Sequence, residues 1–148
     1  VGSEMCIRDR DAYLSAHFSI PENAEGKTLL LSLADATLSF SEEIGREMTS
    51  LSVVVMLNRG TSHLFTEGRI HTCLLQRALS QSQAEKTLQC EGTERELMLI
   101  YSCLMVGFLV KWASAASDSD FDWHSLLSRE MRLMFVRPPE ITDVFNAP

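Results

Sequence analysis

Leu97-Met98-Leu99-Ile100-Tyr101-Ser102-Cys103-Leu104-Met105-Val106-Gly107-Phe108-Leu109-Val110 is the stretch on which the fold turns. Wound as an α-helix, it places apolar side chains in nearly every direction, the pattern of a buried helix and not of a surface one. Thr93 and Glu96 stand just before it at capping-box spacing, so the Thr hydroxyl and the Glu carboxylate can satisfy orphan N–H groups of the first turn. The helix is therefore expected to start at Glu94. The apolar run stops at Lys111 after fourteen residues, fewer than the roughly twenty needed to cross a hydrocarbon core. This segment is expected to be the central core helix of a water-soluble fold. Gly107 and Cys103, four apart, share a face and predict a groove where a neighbouring helix crosses closely.

Working upstream, Lys27 to Glu42 reads as a helix. Leu29, Leu30, Leu33, Ala34, Ala36, Thr37 and Phe40 surround a polar strip of Ser32, Asp35, Ser39 and Glu42. Ser41 to Gly60 reads as a second helix, with Ile44, Met48, Leu51 and Val55 as its inward stripe and Gly60 placed to end it. Val53, Val54 and Val55 are β-branched, but no hairpin turn or pairing strand follows them, so helix is preferred to strand. A third helix is expected from Ser62 or Thr66 to Ser80. Ser82 and Glu85 repeat the capping-box spacing and suggest a further turn before Gly92. Asp11 to Ile20 reads as the tail of a helix that must end before Pro21.

Downstream, Ala113 to Asp122 turns small, polar and acidic and looks mobile. Trp123 to Val136 is amphipathic, with Trp123, Leu126, Leu127, Met131, Met134 and Phe135 inward and Ser125, Ser128, Arg129 and Arg132 outward. Pro138 and Pro139 end it. Successive helices with short connections predict an all-α fold, its antiparallel helices packed as armadillo/HEAT-like hairpins or as an irregular bundle. Residues 11–137 are expected to form a single helical domain, with 138–148 as a tail.

The formal net charge is −7. An acidic domain repels phosphate backbones, which argues against direct nucleic-acid binding. Cys73, Cys90 and Cys103 fall at irregular spacing in apolar helical sequence, unlike the framework of a small secreted domain, and point to a reducing, intracellular compartment. Neither a signal peptide nor a membrane span is visible. Val1 to Arg10 resembles a translated sequencing adapter, so it is expected to be a non-native segment ahead of what is then the C-terminal part of a longer protein; Cys6 loses its meaning with it.

Chemistry-bearing motifs are sparse. His63, His71, Cys73 and Cys90 lack metal-ligand spacing, and residues two apart on a helix point to different sides, so no metal is expected. Cys73 as a nucleophile beside His71 or His124 is disfavoured, since a thiol buried in apolar company is inert. Glu42 with Glu43, and Glu94 with Glu96, diverge on a helix and read as caps or solvated faces. No phosphate-cradling glycine motif occurs. Hence neither a catalytic residue nor a cofactor is assigned. The candidate partner-binding residues are Asp118, Asp120 and Phe121, in an acidic and aromatic stretch with phosphorylatable Ser117 and Ser119, and Arg129 and Arg132, which with Arg137 make a small basic face. In the bland alternative, Asp122 caps the last helix, Trp123 packs inside and the arginines are simply solvated.

Tyr101, Ser102 and Cys103, then Leu104, Met105 and Val106, then Gly107, Phe108 and Leu109, follow an order similar to a helix near the carboxy terminus of the wings apart-like family. That resemblance implies an armadillo-like interaction surface, acting without catalysis in the release of cohesin from chromatin in the nucleus. It transfers no functional residue, because the matched positions are core positions. The expected function is a protein-interaction scaffold with protein partners, including chromatin-associated ones. The alternative is a helical enzyme or small-molecule regulator with a pocket between helices, which a deep polar pocket containing His71 or His124 would favour.

Overall fold

The computed structural model describes residues 2–19, 21, 23–59, 68–116 and 120–138. Within them the chain forms helices α1 (Gly2–His17), α2 (Gly26–Arg59), α3 (Ile70–Ala84), α4 (Glu94–Ser114) and α5 (Trp123–Phe135). The fold is an all-α bundle, as expected. Its extended pairing among the described residues is one isolated bridge between Leu88 and Val136.

The bundle is centred on α2, which packs against all four other helices. The reason is its first half: Leu29, Leu30, Leu33, Ala34, Thr37, Leu38 and Ser41 recur every three or four residues and are all buried. Onto this stripe pack Leu14 of α1, Leu75, Ala78 and Leu79 of α3, Leu97, Tyr101 and Met105 of α4, and Leu127, Met131 and Phe135 of α5. The Ser and Thr hydroxyls inside the stripe are satisfied locally. Thr37 donates to the Leu33 carbonyl at 2.8 Å and Ser41 to the Thr37 carbonyl at 2.9 Å. Gly26 begins the helix under α3, where its N–H donates to Glu85 at 2.9 Å.

The expected division into two helices is present but falls at Gly45 and not near Ser41: the 34-residue run of α2 joins two helical halves across a kink there, where a φ of 85° and ψ of 163° belong to a region that only glycine occupies freely. Beyond the interruption, Thr49 donates to the Ser41 carbonyl at 3.3 Å. Arg46 lies over the Trp112 ring, 5.2 Å from its centroid, and donates to the Ala115 carbonyl, tying the end of α4 to α2 just past the kink.

The Thr93–Glu96 capping box is present, and α4 starts at Glu94. Glu96 accepts from the Thr93 N–H at 2.7 Å, and the main-chain and hydroxyl bonds from Thr93 hold its carboxyl below the usual range. Two expectations for α4 fail. It is not buried all round: Tyr101, Met105, Leu109 and Trp112 face inward, whereas Leu99 and Val110 are each 42% exposed. The length argument also fails, because the helix runs on to Ser114, and at 21 residues it is long and apolar enough to cross a membrane by length and composition. In the bundle its inner face is occupied by α2 and α3.

No helix crosses closely at Gly107, where a Cβ would meet nothing within 4 Å; Cys103 is exposed as well. The close approach occurs at Gly26, where a Cβ would come within 2.8 Å of the Ala78 carbonyl and closer still to Ser82. α3 begins at Ile70 and continues through Ser82 to Ala84, so Ser82 and Glu85 form no second capping box; Ser82 is fully buried. Met134, expected inside, is 43% exposed, because the buried positions of α5 step by four through Leu127, Met131 and Phe135. The expectations for Gly60, Ser62, His63, Thr66, Ser117, Ser119 and the segment from Pro139 onward lie outside the described residues.

α1 continues through Arg10 and Asp11 without a break. Arg10 is half-buried, and its Nε is a buried nitrogen without a hydrogen-bond partner. Desolvation lowers its pKa, against the raising influence of Asp11 and Tyr101. The same charge, together with burial, pushes His71 well below its ordinary pKa, burial being the larger cause.

Candidate interaction surfaces

The expected partner-binding residues fall in separate places. Asp118 lies outside the described residues. Asp120 and Phe121 are exposed just before α5, Phe121 by 66%. Phe121 meets the edge of Trp123 at 5.6 Å, and Trp123 in turn packs edge-on against Phe108 of α4 at 5.8 Å. Asp122 caps α5 by accepting from the Ser125 N–H at 3.0 Å, and the Ser125 hydroxyl and N–H bonds lower its carboxyl pKa. Arg129 and Arg132 lie further along α5, about 9 and 13 Å up the helix axis from Trp123 at a rise of 1.5 Å per residue, on a cleft to which neither Asp120 nor Phe121 contributes. The acidic stretch and the basic face are thus not one site.

Arg129 and Arg132 are joined by Arg137 around a cleft of about 720 Å³ whose lining includes Leu133, Val136, Pro138 and Gln89. Its geometry is fixed by backbone. Gln89 N–H donates to the Phe135 carbonyl at 2.9 Å and Arg137 N–H to the Thr87 carbonyl at 2.8 Å, so the strand-like segment after α3 grips the end of α5. With its nitrogen turned toward α5, the Gln89 amide also donates to the carbonyls of Leu133 and Val136, at 3.2 and 3.3 Å. Leu133 is 62% exposed.

A second surface was misjudged from the sequence. Of the stripe assigned to the core of α2's second half, Ile44 and Val55 are half-buried but Met48 and Leu51 face outward at 42% and 54% exposure, and Val54 and Leu57 extend the face at 53% and 69%. Thr49 and Val53 carry the buried side. At 100° per residue these exposed side chains spread over about half the girth of the helix.

His124 at the start of α5 reaches two carboxylates of α2, with Nδ1 2.6 Å from Asp35 Oδ1 and Nε2 3.0 Å from Glu42 Oε2. Neutral imidazole has one N–H, so donating to both carboxylates requires the imidazolium. Partial burial lowers the His124 pKa, but the hydrogen bonds and charges of Asp35 and Glu42 outweigh it and the net shift is upward. Asp35 and Glu42 belong to the polar strip visible in the sequence; nothing in the spacing announced the histidine that meets it.

Other chemistry is thin. No cluster of three metal-ligating side chains occurs among the described residues. Cys73 and Cys103 are exposed, so burial cannot be the ground for their inertness, while partial burial raises the pKa of Cys90. Glu94, read as a cap, accepts from Gln76 at 3.0 Å and Ser80 at 3.1 Å and so ties α4 to α3. A cleft of about 420 Å³ between α1, α2 and α5 is lined by Tyr13, His17, Asp35 and Ser39, but not by His71 or His124. No family model, curated protein or solved structure matches the chain.

Proposed function

We propose that the chain is a non-catalytic, armadillo-like helical scaffold for protein partners, acting as a wings apart-like factor in the release of cohesin from chromatin in the nucleus. The observation that carries the scaffold reading is the exposed face of Met48, Leu51, Val54 and Leu57 on α2. Contiguous exposed apolar side chains mark interaction sites in soluble proteins, and an apolar helix face fits a groove or helix of a partner. The cohesin assignment rests on the resemblance at residues 100–109 alone.

The test is capture of purified cohesin by the full chain, compared with Leu51→Asp/Leu57→Asp. Both replaced side chains are more than half exposed, so the variant should fold, which circular dichroism checks. Capture by the parent and its loss in the folded variant is the expected result. Failure of the parent to retain cohesin would remove the cohesin assignment, and equal capture by both would remove the role of the α2 face.

A further inference from the structure

The cleft at the end of α5 has a composition that selects its occupant. Arg129, Arg132 and Arg137 are all exposed, no carboxylate lines the cleft, and none of the three is ion-paired among the described residues. In a chain of net charge −7, this concentrates unneutralised positive charge at one place. Between the arginines the surface is apolar, through Leu133, Val136 and Pro138.

We propose that this cleft is a docking site for an acidic, amphipathic peptide segment of a partner protein, its carboxylates on the arginines and an aliphatic or aromatic side chain on Leu133 and Val136. The proposal rests on the scaffold reading and names a partner chemistry for it. Guanidinium forks bind carboxylates through two parallel hydrogen bonds, which supplies specificity as well as attraction. The volume of about 720 Å³ lies in the range of ligand pockets. Preorganisation comes from the main-chain bonds of Gln89 and Arg137, which fix the wall before anything binds. A nucleic-acid strand fits less well: the apolar surface rewards side chains, and the chain's overall charge repels polyphosphate.

Fluorescence anisotropy with a labelled decapeptide, Asp-Glu-Leu-Asp-Glu-Leu-Phe-Asp-Glu-Leu, tests this on the full chain. Saturable binding is expected, with affinity at least about tenfold weaker for Arg132→Glu/Arg137→Glu and for Leu133→Gln. A peptide with Asn and Gln in place of the acids should lose affinity comparably. Leu133→Gln, which adds no charge, separates the apolar contact from the charges, and because Leu133 is exposed it should not disturb folding. Parent-like binding by either folded variant, or by the neutral peptide, would overturn the proposal. Equal or tighter binding of a labelled oligothymidylate would replace the peptide with a phosphate ligand. If the decapeptide binds only after residues 139–148 are deleted, the chain's own tail is the occupant. If sedimentation shows a dimer that Arg132→Glu dissociates, a second copy is. Both results contradict a partner peptide, and neither touches cohesin capture through the α2 face.

Discussion

Two glycines carry opposite consequences. At Gly26 the missing side chain lets α2 pass under α3, and a Cβ would collide with Ser82 and the Ala78 carbonyl. Gly26→Ala is therefore expected to destabilise by about 1–3 kcal/mol through overpacking. Gly107 sits in an α4 position with open space around it, so Gly107→Ala should stabilise by up to about 1 kcal/mol from helix propensity alone. Urea midpoints measure both, and the same sign for the two would contradict the packing described. Sequence could show that a glycine interrupts a helix but not which one faces a neighbour, because that depends on where another helix lies. A similar logic applies to Arg10. Arg10→Met replaces a desolvated guanidinium, one nitrogen of it unpartnered, by an apolar side chain of similar length, so the variant should be at least as stable as the parent. A lowered urea midpoint would show that Arg10 is held by interactions that outweigh its desolvation.

Among the elements, α4 and α5 were the most legible. Their starts follow from local chemistry, the Thr93–Glu96 box and the Asp122 cap, and such signals need no knowledge of the rest of the chain. α2 was less legible because its apolar residues outnumber the positions its neighbours cover: a spacing of three and four marks a helix but does not say that a partner exists. The docking of α5 on α2 also depends on His124 between Asp35 and Glu42. Since the folded pKa of His124 is raised, its stabilisation is fully present below the unfolded value of about 6.5 and is lost as pH rises through the folded pKa. The charged groups facing it are Asp35 and Glu42 from α2 and Asp122 beside it. His124→Gln should thus cost more stability at about pH 5.5 than at about pH 8.5. Because the cluster is partly exposed, salt should weaken the effect. Guanidinium would screen these charges, so urea is the denaturant of choice. A difference independent of pH would mean that the imidazolium does not hold α5.

At the scale of the whole molecule, one helix does two jobs on either side of a glycine kink. Before Gly45, α2 is the core around which the bundle closes; after it, α2 offers Met48, Leu51, Val54 and Leu57 to solvent. The all-α class was legible from periodicity, since that is a property of the chain alone. The two candidate surfaces were not, since exposure is a property of the assembled bundle. Leu133 illustrates the difference: its apolar side chain is 62% exposed on a helix whose inner face is already filled. The central claim, that the two halves of α2 divide core from surface, is tested most directly by urea denaturation of Leu30→Ala beside Leu57→Ala. Leu30 is fully buried and Leu57 is 69% exposed. The first should lose about 2–5 kcal/mol and the second should stay within about 0.5 kcal/mol of the parent, whereas comparable losses in both would mean that the second half of α2 is core and the exposed face does not exist.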